Sequence, residues 1–372
     1  MWSCIAHTIP LYALYSLLFV DAGVSPGRVS ALLAIWSGIG IIAEVPSGAL
    51  ADRFSRRAAM VASGVLQAVG YAVWIAAPGF TGFAVGFALW GFGGALSSGT
   101  FEAMLYEGLA ASRSEDKYQL AIGRTTSAGL LAQIPAAGLA TGLFALGGFA
   151  LVGVVSVAMC LVAAAVAATM PDHRPVSAEV VDEPGYLETL RVGVRVVWAL
   201  STVRSAAIAV ALLFGLDAME EYFPLQIQSW GVRTTWVPIV VLTIPLGGAL
   251  GSALAGRGTR LVDRTQGLML GGAALLGAAA WWSSPAGVVA IVAFYGLYRF
   301  VLSVADARLQ QQLPSASRAT ATSVVALGGE LVGIAVFGLW AAGGLALMAV
   351  AVVLVAAISR RRLRSARRRC RA

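Results

Sequence analysis

Long apolar runs separated by short, arginine-bearing gaps set the rhythm of this chain. A spanning helix needs about 20 consecutive apolar residues, and runs of that order centre on 2–20, 29–50, 58–77, 82–106, 120–145, 148–169, 204–224, 235–255, 266–283, 286–308, 319–338 and 340–358. The pattern predicts an all-α integral membrane protein with twelve transmembrane helices. The first run starts beside Met1 without a basic leader or a small-residue cleavage site near Asp21, so it reads as a retained span, with a start codon further upstream left open. One long polar interruption, residues 171–202, divides the pattern. It predicts an N-terminal bundle over 1–170, a cytoplasmic linker over 171–203, a C-terminal bundle over 204–358 and a basic tail over 359–372. Within the linker, Leu187, Leu190, Val194, Val197 and Trp198 recur at helical spacing with Arg191 and Arg195 on another face, the pattern of an amphipathic helix lying on the inner leaflet.

Composition agrees with the pattern: 59% of residues are hydrophobic, 12% are charged and the mean hydropathy is +0.82. The net charge of +8 would suggest nucleic acid in a soluble protein, but here it is a topology signal. With the N-terminus cytoplasmic, every Lys and Arg except Arg28, Arg233 and Arg299 falls in an inside loop or the tail. Both termini are therefore expected in the cytoplasm, and the arginine-rich tail is expected to meet anionic lipid of the bilayer, with no nucleic-acid partner. Arginine dominates the basic residues, with Lys117 the sole lysine, which hints at a high-GC bacterial source and places the chain in a bacterial inner membrane. Cys4, Cys160 and Cys370 show no metal or disulfide spacing, and His7 and His173 are far apart in sequence, so no metal, cofactor or enzyme centre is expected.

Between the second and third runs lies Glu44-Val-Pro-Ser-Gly-Ala-Leu-Ala-Asp-Arg-Phe-Ser-Arg-Arg57, read as a short charged loop. Gly48, Leu50, Ala51, Asp52, Arg53, Arg56 and Arg57 resemble the Gly-x-Leu-Ala-Asp-Arg-x-Gly-Arg-Arg signature of the major facilitator superfamily, with Ser55 in place of a glycine. The resemblance implies two pseudo-symmetric six-helix bundles and a gating loop of Gly48, Asp52, Arg53, Arg56 and Arg57 that contacts the start of the eleventh helix near Arg318. The halves show faint internal similarity: Glu102-Ala-Met-Leu105 against Asp306-Ala-Arg-Leu309, and Gly251 to Arg260 against Gly48 to Arg57, with Gly256 near the place of Asp52. The stretch Gly129 to Gly142, with Pro135 inside it, resembles a degraded Gly-Pro-x-x-Gly-Gly element associated with proton-driven exporters of the superfamily.

Charges within spans cost about 2.5–3.5 kcal/mol each, so they pair or line a cavity. Arg299 and Glu330 are the deepest and are expected to face each other, as a structural pair or as a coupling site. Asp217 shares a helical face with Glu221 at i, i+4 and is the expected cavity acid, with Glu220 and Glu221 nearer the interface. Glu102, Gln133, Tyr12, Tyr15 and Tyr298 are further cavity candidates, and Glu44, Glu107 and Asp306 are candidates for an inner gate. Tyr12, Tyr15, Trp36, Trp90, Tyr295 and Tyr298 would suit an apolar or cationic solute. The resemblance thus implies a monomeric secondary transporter, expected to export a small amphiphilic molecule against protons, with proton-coupled uptake as the alternative and a non-transporting sensor or scaffold as the rival from another class.

Overall fold

The computed structural model describes residues 1–53, 55–172, 186–199, 201–256, 265–313 and 318–369, and for 44–53, 186–190, 196, 319 and 360–369 the backbone course alone. Every regular element among them is helical. A backbone in hydrocarbon must satisfy its own N–H and C=O groups, and helices do so within one segment. In order these are α1 (Trp2–His7), α2 (Tyr15–Asp21), α3 (Pro26–Arg53), α4 (Arg56–Ala76), α5 (Phe80–Ser97), α6 (Thr100–Ala111), α7 (Tyr118–Ala168), α8 (Tyr186–Ala199), α9 (Ser201–Leu216), α10 (Phe223–Ser229), α11 (Val237–Ala255), α12 (Thr265–Trp282), α13 (Gly287–Gln312) and α14 (Arg318–Arg369). Among the described residues, nine helical segments are long and apolar enough to cross a membrane.

The two longest helices are interrupted in the same way. Gly147 and Gly148 in α7 have φ/ψ of −153°/22° and 57°/−155°, and Gly343 and Gly344 in α14 have −166°/20° and 55°/−146°. The positive φ of the second residue is strained for any side chain, which is why a glycine stands there. In α7 the chain folds back at this point. Gln133 and Cys160 line one cavity, whereas a straight helix would set them about 40 Å apart.

The chain divides into two compact units, Met1–Asp182 with Arg233–Ile239, and Glu183–Val232 with Val240–Ala372. In the first, Tyr15, Phe19, Trp74, Phe83 and Phe87 form a buried aromatic core, with ring centroids 4.1–5.9 Å apart. The Trp74 indole N–H donates to the Phe83 carbonyl at 3.1 Å, so its polar atom is not left orphaned. In the second unit, α9 packs along α14, and α12 packs on α13 and α14. α11 meets α13 through glycines: a Cβ on Gly251 would lie 2.0 Å from the Gly296 carbonyl oxygen, and one on Gly247 would lie 2.7 Å from Val292. This is the small-residue contact that helices use in lipid, where apolar burial between them gains little.

Three sequence expectations change here. Gly48 to Arg53 continue α3, and α4 begins at Arg56, so both helices extend into the stretch expected to be a loop. Gly251 serves a helix contact within α11, and the rest of its loop-like stretch, 257–260, lies outside the described residues. Of the Gly129–Gly142 stretch, whose small residues suit close helix approach, Gly129 meets α1, a Cβ there lying 3.2 Å from the His7 ring, whereas Gly138 and Gly142 have no atom within 4 Å of an added Cβ among the described residues. Meanwhile α8 lays Gly193 and the buried Val197 toward α14, where a Cβ on Gly193 would be 2.7 Å from Thr320, and leaves Arg191, Val194, Arg195 and Trp198 exposed.

Candidate functional site

Each unit contains a broken span. In the first, α1 gives way to a tight 3-10 turn at Pro10–Ala13 before α2 begins. Pro10 has no N–H, and the Leu11 N–H is satisfied by the Ser156 hydroxyl at 3.0 Å, which itself donates to the Val152 carbonyl at 2.8 Å. In the second, α9 ends at Leu216, Asp217–Tyr222 form a 3-10 turn, and α10 resumes with Pro224 in its first turn. The missing Pro224 N–H removes the bond that would continue an α-helix through Glu220. Irregular backbone at membrane depth is tolerated where it is buried or lines a cavity.

The 3-10 turn decides which acids meet. At three residues per turn, positions i and i+3 eclipse, so Asp217 shares its side with Glu220 and not with Glu221. On α13, Tyr295 and Arg299 are one turn apart and share a face. The Tyr295 hydroxyl lies 2.9 Å from Asp217 Oδ1 and 2.8 Å from Glu220 Oε2, while Arg299 Nη1 donates to Asp217 Oδ2 at 3.3 Å. Arg299 therefore finds its carboxylate on Asp217, and Glu330, its expected partner, is an exposed side chain on α14. Gly248 on α11 backs the cluster: a Cβ there would fall 2.7 Å from the Tyr295 ring and 3.0 Å from Arg299 Cγ. Tyr298 is buried and donates to the Leu213 carbonyl at 2.9 Å, which places it in the packing of α9 on α13.

A separate cavity of about 340 Å³ lies within the first unit. Its walls include His7, Tyr12, Gln67, Trp90 and Gln133. Tyr12 and Trp90 stand 6.0 Å apart with rings inclined at 32°. Tyr15, expected on the same wall, is instead buried in the aromatic core.

The family profile of the Major Facilitator Superfamily matches residues 2–338. The chain belongs to the major facilitator superfamily. Among solved structures it is similar to a bacterial homologue of the human lysosomal transporter Spinster, at 14% identity over 98% of this chain and 94% of that one (TM-score 0.73). It is also similar to the nucleoside transporter NupG, at 13% identity over 98% and 96% (0.71), and to a D-xylose-proton symporter, at 15% over 96% and 93% (0.68). No curated protein sequence matches it. The chain is thus a multi-pass membrane protein with the fold of a secondary transporter.

At the end of the signature stretch, Ser55 and Arg56 each contact another part of the first unit. The surroundings of Glu44, Gly48, Asp52 and Arg53 lie outside the described residues. Arg56 pairs with Glu107 of α6, uniting a gating-loop candidate with an inner-gate candidate. Ser55, the departure from the signature, accepts from the Ala58 N–H at 3.1 Å as the N-cap of α4 and donates to Asp172 at 2.5 Å. Arg57 and Glu102 are exposed, Arg318 is exposed and donates to the Leu313 carbonyl at 3.4 Å, and Asp306 accepts from Gln310 at 3.4 Å. Sequence reasoning missed Glu220, Tyr295 as a hydrogen-bonding group, Gly248 and Ser55. The available signals were Pro224 just after the acids and the Gly247-x-x-x-Gly251 spacing.

Proposed function

We propose that this transporter is coupled to protons through Asp217, Glu220, Tyr295 and Arg299, and that it exports a small amphiphilic solute as a monomer in the bacterial inner membrane, with twelve spans and both termini cytoplasmic. The observation that carries the coupling is the single Tyr295 hydroxyl within hydrogen-bond range of two carboxylates. A phenol has one proton to donate. Two short oxygen–oxygen contacts need two hydrogens, so the arrangement is complete when one acid carries a proton. Glu220 then donates to the phenol, the phenol donates to Asp217, and Asp217 answers Arg299. Loss of that proton leaves two carboxylates competing for one donor beside one arginine, which favours rearrangement of the cluster. Such a two-state element is what alternating access requires of a coupling site.

Export is preferred over uptake on the Pro135 stretch of α7, which resembles the element of proton-driven exporters. A D-xylose-proton symporter among the similar structures keeps proton-driven uptake as the second reading. Reconstituted vesicles separate the two without regard to insertion direction. Across a labelled panel of hydrophobic dyes, nucleosides, sugars and short peptides, antiport accumulates its solute when the lumen is acid, and symport does so when the exterior is acid. The expected result is acid-lumen accumulation that Asp217→Asn abolishes. Flux indifferent to the gradient would overturn proton coupling.

A further inference from the structure

The cavity of the first unit carries a reading of the solute itself, one that rests on the transport function proposed above. Its volume of about 340 Å³ is at the small end of ligand pockets and suits a molecule of one or two rings. Among the described residues that line it, none is Asp, Glu, Lys or Arg. A buried ion without a counter-charge is costly, so this lining selects against both signs. Tyr12, half-exposed, and Trp90 beside it offer a planar solute a stacking surface, while Tyr71 is buried edge-on against Trp90.

Around that surface stand neutral hydrogen-bonding groups with capacity to spare. Gln133 makes no hydrogen bond among the described residues, and its amide offers two donors and an acceptor. Gln67 reaches Ser63 Oγ only through its nitrogen, at 3.5 Å. The Trp90 indole N–H is buried without an acceptor among the described residues and has almost no accessible surface, so Trp90 contributes its ring and not a donor to the cavity. His7 Nδ1 lies 2.7 Å from the Ser3 carbonyl oxygen, which can only accept. Nδ1 therefore carries the hydrogen, and in the neutral ring Nε2 is an acceptor. The mixture of spare donors and acceptors, without formal charge, matches an amide: a primary amide and a glutamine pair through two antiparallel hydrogen bonds.

We propose that the cavity bounded by Tyr12, Gln67, Trp90 and Gln133 is the recognition site for a neutral heteroaromatic amide, a planar ring bearing both a donor and an acceptor. This narrows the apolar or cationic solute that the aromatic residues alone suggested.

Three probes of one ring and nearly one size are nicotinamide (neutral), 1-methylnicotinamide (a cation that keeps the amide) and nicotinate (an anion in which a carboxylate replaces the amide), so the cation tests charge and the anion tests charge and amide together. Equilibrium dialysis of each labelled probe against purified full-length protein, with no gradient, is blind to proton coupling. A failure here therefore rejects the site assignment while the vesicle result stands or falls separately. Nicotinamide is expected to bind about tenfold more tightly than either ion, and Gln133→Leu to weaken it by roughly fivefold to tenfold, the worth of about one hydrogen bond. Gln133→Glu keeps the side chain's size, adds a negative charge and is expected to turn preference toward 1-methylnicotinamide. Gel filtration checks that both variants are intact. Failure of nicotinamide to bind, equal or tighter binding of an ion to the unaltered protein, or indifference to both Gln133 variants would overturn the assignment.

Discussion

Tyr295 is the residue on which the cluster turns, because its one proton must serve two acids. Tyr295→Phe keeps the ring and removes the hydroxyl, leaving the Asp217–Arg299 pair in place and cutting Glu220 off. A hydrogen bond to a charged group is worth about 1.5–3 kcal/mol, so gradient-driven accumulation should fall by roughly tenfold to a hundredfold, while solute exchange at equal pH continues. Vesicle counterflow measured beside gradient-driven uptake checks this split, and equal loss of both would point to a packing role alone. Asp217 and Arg299 were visible in the sequence because charge is costly in hydrocarbon and therefore stands out. Their mutual pairing was not, since depth along a helix says nothing of rotation about its axis, and Glu330 at similar depth looked equally suitable. Glu220 was hidden for a different reason: α-helical spacing puts Asp217 with Glu221, and only the 3-10 turn ahead of Pro224 brings Glu220 round.

Helix packing holds these side chains in register. Gly248 lets α11 approach until an added Cβ would meet both Tyr295 and Arg299. Gly248→Ala is expected to cost about 1–3 kcal/mol as overpacking, lowering the thermal midpoint and coupled transport together. Gly271→Ala in α12, where a Cβ would meet nothing within 4 Å among the described residues, should leave both unchanged or raise the midpoint, since alanine is the better helix former by about 1 kcal/mol. Thermal unfolding followed by tryptophan fluorescence distinguishes the two variants. At this scale the apolar runs revealed the long helices well but not their ends. The charged run at Asp52 and Arg53 looked like a loop because polarity and chain reversal usually coincide, whereas α3 carries those charges to its last residue and Ser55 caps the next helix. The breaks within α7 and α14 were anticipated as gaps between apolar runs, at 145–148 and 338–340, but a glycine pair hardly alters hydropathy, so the second was placed a few residues early.

For the whole molecule, membership of the major facilitator superfamily was legible from composition and one motif, since a chain this apolar has few alternatives to spanning helices. The motif identifies the machine; the cluster on the broken second-unit span and the uncharged cavity of the first unit bear on its energy source and cargo. The central claim is that the Asp217–Tyr295–Glu220 arrangement holds an exchangeable proton. Infrared difference spectra of the purified protein in lipid nanodiscs, recorded through a pH titration in water and heavy water, observe the carbonyl stretch of a protonated carboxyl directly. The account predicts a titrating band that shifts in Tyr295→Phe and disappears in the Asp217→Asn, Glu220→Gln double variant. A spectrum without such a band, or a band that persists unchanged in the double variant, would contradict it.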